Sequence, residues 1–152
     1  MFNHFYIHSG IGYGNSYLTS FDQALLHAGV GNYNLIRVSS ILPVGLSRSS
    51  NITLIAGSPL HVAYAEISTN NPGKLIATAV SVGIPTDKEK IGVIMEYSAY
   101  ISKGEAIEIV ESMVEEAMNN RGYKIDQLVT SGCSVISSSN GYTTAFSGLA
   151  MW

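Results

Sequence analysis

Apolar and polar positions along the first 39 residues change from a strand period to a helix period and back. Alternation predicts a strand at about residues 4–9, in HFYIHS, and a second strand over residues 33–39. Between them the pattern predicts the loop GIGYGNSYLTS and a short helix. In that helix Ser20 and Gln23 have the spacing of a capping box, and Gly29 marks the end.

The same order of elements recurs in the second half of the chain. GVIMEYS predicts a strand, Ser102 and Glu105 form a second capping box, Gly122 ends the helix that follows, and YKIDQLVTSG predicts the next strand. The apolar stripe of this helix comprises Ala106, Ile107, Val110, Met113, Val114 and Ala117. Recurrence of the strand-helix-strand unit predicts an internal structural duplication.

Strands dominate the rest of the chain. The pattern predicts strands at about residues 52–56, 61–68 and 74–83, and the Asn140-Gly141 dipeptide predicts a turn between two final strands. Two amphipathic helices are too few to cover both faces of so many strands, so sheets must also pack against each other. We therefore predict an α+β sandwich in which residues 1–152 form a single domain.

The composition bears on possible partners. Charged residues make up only 12% of the chain and apolar residues 46%, which predicts that other copies of the chain cover part of the surface in a homo-oligomer. A net charge of −3 without a basic cluster argues against a nucleic-acid or anionic-membrane partner. It permits a cationic ligand such as an amine or a guanidinium.

Neither a targeting segment nor a metal site is predicted. The N-terminal sequence MFNHFYIHSG lacks the features of a signal peptide and no apolar run has the length of a membrane span, so we predict a cytoplasmic protein. The single cysteine, Cys133, has no partner for a disulfide and is expected to be a small buried apolar residue. The four histidines lack the spacing of metal ligands.

The paired serines Ser39 and Ser40, which end an apolar strand shortly before Pro43, are the main candidates for chemistry. Such a pair is common in turns, where serine hydroxyls bond locally and proline ends the strand. The alternative is self-cleavage, in which the Ser40 hydroxyl attacks the Ser39 carbonyl and converts the amide to an ester. β-Elimination would then cut the chain and leave a dehydroalanine, which hydrolyses with loss of ammonia to a pyruvoyl group at residue 40.

Four blocks of sequence resemble the pyruvoyl-dependent arginine decarboxylases in order and separation: SFDQALLHAGVGNYNLIRVSSILP, AYAEIS, AVSVGIP and GVIMEYS. The resemblance implies cleavage between Ser39 and Ser40, with residues 1–39 as the β chain and 40–152 as the pyruvoyl-bearing α chain. It also implies a four-layer α/β/β/α sandwich with mixed sheets. The cleaved protomers would assemble as trimers, which could pair into hexamers, with active sites between neighbouring subunits.

The resemblance further implies that L-arginine is converted to agmatine and CO2. In this reaction the substrate amine forms a Schiff base with the pyruvoyl group, which withdraws electrons from the α-carbon. Glu96, a carboxylate within the apolar strand GVIMEYS, is the candidate proton donor, because desolvation should raise its pKa. From the pattern alone it could equally face solvent. Glu66 in AYAEIS has the same type of setting, and we assign it a structural or supporting role.

Two further residues have both ordinary and functional interpretations. Asp22, two positions beyond the Ser20 cap, suits a helix N-terminus whether or not a ligand binds. The resemblance implies that it also receives the substrate guanidinium through paired hydrogen bonds. Asn34 could cap a turn after Gly31, or its amide could support the oxyanion during cleavage and later hold the pyruvoyl carbonyl.

Other functions remain open at this stage. A pyruvoyl enzyme of this type could act on a different amino acid, and Asp22 is the residue that would discriminate. The chain could instead be an oligomeric binding or structural protein that keeps the fold and never cleaves. A pyridoxal-phosphate decarboxylase is disfavoured, because the chain is short and lacks a recognisable phosphate-binding loop.

Overall fold

Strands and helices follow one another in a computed structural model that describes residues 2–152. In chain order the elements are β1 (His4–Gly14), α1 (Tyr17–His27), β2 (Asn34–Arg37), β3 (Ile41–Leu42), β4 (Ser47–Arg48), β5 (Pro59–Thr69), β6 (Leu75–Pro85), β7 (Gly92–Ala99), α2 (Lys103–Asn119), β8 (Ile125–Ile136) and β9 (Tyr142–Met151). No helix within residues 2–152 has the length and apolar character needed to cross a membrane.

The strands form two sheets that pack face to face. Sheet A has the order β2-β5-β9-β1-β4 and sheet B the order β3-β7-β6-β8. Sheet A is mixed, because β2 and β4 at its edges run parallel to their neighbours, whereas every pairing within sheet B is antiparallel. The predicted α+β sandwich is confirmed, with the correction that only one of its sheets is mixed.

Alternation along the strands creates three apolar interfaces, and hence four layers. Between the sheets lies a cluster that includes Phe5, Ile7, Val80, Val82, Ile94 and Leu149. On the outer face of sheet A, α1 packs Ala24 and Leu25 against a cluster containing Val62 and Phe146. On the outer face of sheet B, α2 packs Val110 against Ala77 and Ala79. The order of layers is therefore α1, sheet A, sheet B, α2.

The predicted duplication corresponds to two helical crossovers, which pass different numbers of strands. The helix α1 connects β1 to β2, and α2 connects β7 to β8. In each case the two connected strands are parallel to each other; β5 and β9 lie between β1 and β2, and β6 alone lies between β7 and β8. Each helix then covers the sheet to which its own strands belong.

The helix α1 begins one turn earlier than the sequence suggested. Its N-cap is Ser16, whose side chain accepts from the Thr19 amide at 3.2 Å and completes a capping box with Thr19. The predicted box of Ser20 and Gln23 is wrong, because β1 runs through the expected loop as far as Gly14. A Cβ at Gly12 would overlap the backbone of α1, so this glycine permits the close contact between strand and helix.

Three other predictions need correction. Residues 52–56 form no strand, although Ile52 and Leu54 pack against the α1 cluster. The strand before the paired serines is shorter than predicted and ends at Arg37. Cys133 is only half-buried, and its sulfur lies 3.4 Å from the Thr78 hydroxyl in a polar part of the space between the sheets.

The predictions for the second half of the chain fared better. Ser102 caps α2 and forms the expected box with Glu105. The strands predicted at 61–68 and 74–83 are confirmed as parts of β5 and β6. Gly141, in the turn between β8 and β9, has a φ of 68°, in the left-handed region that glycine adopts without strain.

Candidate active site

The Ser39-Ser40 peptide bond lies where the chain passes from one sheet to the other. The strand β2 forms an edge of sheet A beside β5, and β3 forms an edge of sheet B beside β7. Since β5 packs across from β7, both edges are on the same side of the sandwich. Val38 still bonds to sheet A through Val62, whereas the Ser40 carbonyl accepts from the Ile94 amide of β7 at 2.8 Å. Backbone hydrogen bonds thus hold the chain on both sides of the Ser39-Ser40 bond, to sheet A at Val38 and to sheet B at Ser40.

A tight turn surrounds this bond. The Ser39 carbonyl oxygen accepts a hydrogen bond of 3.1 Å from the Ile41 amide, so Ser40 is the central residue of a three-residue turn. The carbonyl that the Ser40 hydroxyl would attack is therefore already bonded to a donor. Ile41 was not among the residues singled out from the sequence, because a backbone donor leaves no signal in side-chain chemistry.

Glu96 lies two residues beyond Ile94 in β7, on the same face of the strand. Ile94 belongs to the cluster between the sheets, whereas Met95 and Tyr97 pack towards α2, so Glu96 faces sheet A. Its Oε2 atom is buried without a hydrogen-bond partner among residues 2–152. Burial raises the pKa of Glu96, and the positive charge of Arg37 acts in the opposite direction.

Arg37 is a second residue that the sequence did not single out. Its guanidinium lies over the ring of Tyr64, 4.5 Å from the centroid, and donates to the Tyr64 carbonyl at 2.9 Å. These contacts fix a cation close enough to influence the pKa of Glu96. The available signal was its position two residues before Ser39 in the strand that leads to the cleavage site.

Glu66 lies on the opposite side of sheet A from this space. It shares a face of β5 with Tyr64, which packs in the cluster under α1. The Tyr17 hydroxyl donates to its Oε1 at 2.7 Å, and burial together with this bond raises the pKa of Tyr17 to about 12. The second oxygen of Glu66 is buried without a partner, as in Glu96. The two glutamates therefore have similar settings in different layers.

Asp22 is exposed on the solvent side of α1 and lies far from the paired serines. It is flanked one turn away on each side by Leu18 and Leu26, with exposed fractions of 68% and 50%. Sheet A separates this surface from the space that Glu96 faces. Because α1 begins at Tyr17, Asp22 is beyond the first turn, and the predicted effect of the helix dipole on it is wrong.

Asn34 begins β2 at the end remote from the serines. Its Nδ2 donates to the Gly57 carbonyl at 2.6 Å and ties the irregular segment 49–58 to the strand. At the usual rise of a strand, Asn34 and Ser39 are about 15 Å apart. Within one chain the structure thus brings together Ser40 and Glu96, but neither Asp22 nor Asn34 joins them.

Comparisons with known proteins identify the family. The family model described as "Pyruvoyl-dependent arginine decarboxylase (PvlArgDC)" matches residues 4–152. The chain belongs to the pyruvoyl-dependent arginine decarboxylase family. A protein of that name from Methanococcus aeolicus is 38% identical over 146 residues, which cover 95% of this chain and 86% of the relative.

Other relatives with the same name also match most of this chain. The protein from Methanocaldococcus jannaschii is 38% identical over 144 residues, covering 95% of this chain and 86% of its own length. The protein from Thermococcus kodakarensis is 37% identical over 123 residues, which cover 80% of this chain and 78% of its own length. The similarity to this decarboxylase family therefore extends over nearly the whole sandwich, with both paired serines inside it.

The pyruvoyl group of this family is derived from a side chain, so its fit depends on residue 40 and its neighbours. Residue 40 is a serine, the residue type from which elimination yields a pyruvoyl group. The carboxylate of Glu96 lies on the adjacent strand and has one oxygen that no group within residues 2–152 satisfies. A buried polar atom without a partner is costly in a folded protein, and a catalytic role is one explanation for it. The residues present fit the group.

Proposed function

We propose that this chain cleaves itself between Ser39 and Ser40 and then decarboxylates L-arginine to agmatine and CO2. The observation that carries the proposal is the register of β3 against β7, with Ser40 opposite Ile94 and therefore two residues from Glu96. Family membership supports the substrate and the pyruvoyl group. Self-cleavage at this bond and the roles of individual residues are our inference from the arrangement.

Self-cleavage begins with attack of the Ser40 hydroxyl on the Ser39 carbonyl carbon. Negative charge then develops on the Ser39 oxygen, which accepts the hydrogen bond from the Ile41 amide. Loss of the amide bond yields an ester between the two residues. Elimination releases the Ser39 carboxylate and leaves the dehydroalanine that is hydrolysed. The backbone bonds to sheet A and to β7 keep both sides of the break in position.

Decarboxylation requires a proton for the carbon that loses CO2. When present, the pyruvoyl group supplies a ketone that takes up the substrate amine and withdraws electrons from the α-carbon. Glu96 is suited to deliver the proton, because its raised pKa keeps more of the carboxyl protonated. The apolar neighbours of Glu96 exclude water and favour loss of the charged carboxylate from the substrate.

Two copies of the chain are needed for a complete site in this proposal. Ser40 and Glu96 come from one copy, and Asp22 comes from the exposed α1 surface of another, where it accepts the guanidinium. Asn34 also acts from the neighbouring copy, since it lies too far from Ser39 in its own. The exposed leucines beside Asp22 favour this association, because contact with another copy would remove them from water. We propose a trimer, located in the cytoplasm.

Denaturing mass spectrometry tests the cleavage step. We expect two fragments that meet between residues 39 and 40, the larger with a blocked N-terminus, and a single chain in the Ser40→Ala variant. The Ser39→Ala variant retains the attacking hydroxyl and should still cleave. If the wild-type chain stays intact after prolonged incubation, the proposed cofactor is wrong and a binding or structural role takes its place.

A complementation experiment tests the shared site. Asp22→Asn should leave cleavage intact and lower arginine turnover by at least about tenfold, because a charge-assisted pair is lost. Glu96→Gln should lower arginine turnover by at least about 100-fold, because a glutamine cannot donate the proton. After the two cleaved variants are mixed and allowed to exchange subunits, some sites combine an intact Glu96 with an intact Asp22, and activity should return. Unmixed variants under the same conditions are the control. No recovery, with exchange verified by mass, would contradict the shared site.

A further inference from the structure

Basic residues gather at one end of the sandwich. Arg48, Lys88 and Lys90 line a cavity of about 310 Å³ there. A second cavity, which also includes Lys90, adds Arg121 and Lys124. The whole chain contains only eight Lys and Arg residues, so most of its positive charge lies at this end of a protein whose net charge is −3. The sequence shows no basic cluster, because these residues come from three separate segments.

The local carboxylates leave two of the cations without partners. Lys88 pairs with Asp126 at 2.6 Å. The Asp87 side chain lines the cavity but accepts a backbone hydrogen bond within its own turn. Arg48 and Lys90 take part in no ion pair within residues 2–152. The cavity lining therefore contains two cations without an ion pair, Arg48 and Lys90, together with one carboxylate, Asp87.

The floor of the cavity is apolar. Val44, Leu46 and Ile84 line it with side chains that are partly or largely accessible, above the buried core residues Phe5 and Leu42. A site with unpaired cations and apolar side chains in its lining suits a ligand that has one anionic group and an apolar body. Inorganic phosphate would leave the apolar floor unfilled. The volume is sufficient for a small organic molecule.

This cavity is distinct from the proposed arginine site. Neither Ser40 nor Glu96 lines it. The unpaired cations Arg48 and Lys90 would repel a guanidinium, so the cavity selects against the end of arginine that Asp22 would bind. The sign of the charge thus assigns the two sites to different ligands.

We propose that this cavity binds a small organic anion, an aromatic or branched carboxylate. The carboxylate lies between Arg48 and Lys90, and the apolar body rests on Val44, Leu46 and Ile84. Binding does not depend on self-cleavage or on decarboxylation, so it can be tested whether or not those proposals hold. Charge-assisted hydrogen bonds supply the selectivity for the anion, and burial of the apolar body supplies the remainder of the affinity.

Calorimetric titration of the full chain with phenylacetate tests the proposal, with phenylacetamide as the neutral isostere. We expect saturable binding of phenylacetate and at least about fivefold weaker binding of phenylacetamide. Arg48→Gln and Lys90→Gln should each weaken phenylacetate binding roughly fivefold to tenfold. The matched controls are Lys74→Gln and Lys103→Gln, which remove exposed cations elsewhere and should retain the wild-type affinity.

Competition with L-arginine separates the two sites. Phenylacetate should bind with the same affinity in the presence of saturating arginine. The proposal is wrong if the amide binds as tightly as the acid, if both cavity variants retain full affinity, or if arginine displaces phenylacetate. It is also wrong if phenylacetate does not bind at about 10 mM. Thermal unfolding of each variant verifies that any loss of binding occurs in folded protein.

Discussion

The Ser39 carbonyl oxygen accepts a hydrogen bond from the Ile41 amide across a single residue, Ser40. This turn bonds a donor to the oxygen on which charge develops when a serine hydroxyl attacks its own backbone. A preorganised donor of this kind is more effective than one that must move into place during the reaction. The same segment is anchored by the bond from Ile94 to the Ser40 carbonyl, so the turn cannot relax without breaking its pairing with β7.

Glu96→Gln and Glu66→Gln form a matched pair, because both carboxylates have one buried oxygen without a partner. We expect Glu96→Gln to lower arginine decarboxylation by at least about 100-fold, since a glutamine cannot donate the proton. Glu66→Gln retains an acceptor for Tyr17 and should keep activity within about threefold. Both variants should still produce the fragments 1–39 and 40–152. Equal losses of activity would contradict the assignment of the proton donor to Glu96.

The raised pKa of Glu96 predicts a specific dependence of stability on pH. The folded state binds the proton of the Glu96 carboxyl more tightly than the unfolded state does. The free energy of unfolding therefore falls as pH rises from the pKa of Glu96 in the unfolded state through its pKa in the folded state. Below the pKa of Glu96 in the unfolded state this loss of stability is absent, and above its pKa in the folded state the loss is complete. Replacement by glutamine removes this titration.

This dependence is best measured on chains that cannot cleave. We expect the Ser40→Ala, Glu96→Gln double variant to gain thermal stability over Ser40→Ala as pH rises above about 4.3, the value of a free glutamate. The difference in Tm should reach a plateau at higher pH. A Tm difference that is constant from pH 4 to 8 would contradict a buried, destabilised carboxylate.

Asn34→Ala separates two roles of this residue. Loss of the bond to the Gly57 carbonyl should lower the free energy of unfolding by about 1 kcal/mol, or Tm by about 3 °C, in the Ser40→Ala background. Asn32→Ala is the control, because Asn32 contacts Gly57 only through its backbone carbonyl. In chains with Ser40 intact, the proposed cleavage role predicts slower appearance of the fragments. Normal cleavage with reduced stability would leave Asn34 a structural residue.

Gly12→Ala tests the contact between β1 and α1. The added Cβ would overlap the backbone of Ser20 and Ala24, which cannot move independently of the helix. We expect a loss of about 2–4 kcal/mol in unfolding free energy. Gly104→Ala is the control: its Cβ would lie 4.0 Å from the Ser102 hydroxyl, an ordinary van der Waals contact in the first turn of α2, and the change should be neutral or stabilising by up to about 1 kcal/mol. Similar stability of the two variants would contradict the close packing.

An element of the fold can be predicted from the sequence when the residues that determine it are close together in the chain. The Ser102 box was predictable, because both partners lie within one helical turn and no other strand competes for them. The start of α1 was not, because Ser16 and Ser20 are similar candidates and the choice depends on the length of β1. That length is set by pairing with β9, which lies at the other end of the chain.

In the candidate site, too, some features could be predicted from neighbouring residues and others depend on distant parts of the fold. Sequence blocks indicated the paired serines, and the register of β3 with β7 brings them to Glu96. The choice between Glu66 and Glu96 could not be made from alternation, since the side of a sheet that a residue faces depends on how the sheets stack. Asp22 and Asn34 were associated with the site by resemblance, and a single chain does not bring them to Ser40. A site shared between copies leaves no signal in local pattern.

The position of β1 in sheet A affects how the protein can refold before and after cleavage. This strand is inserted between β9 and β4, both of which follow residue 40 in the chain. A precursor can therefore close sheet A by a unimolecular reaction, at a rate independent of dilution. If the chain is cut between Ser39 and Ser40 as proposed, the unfolded protein would have to refold from two separate polypeptides, a second-order process that slows as concentration falls. We therefore expect cleavage to make recovery from thermal unfolding slower in dilute solution, whereas the rate for the uncut chain does not depend on concentration.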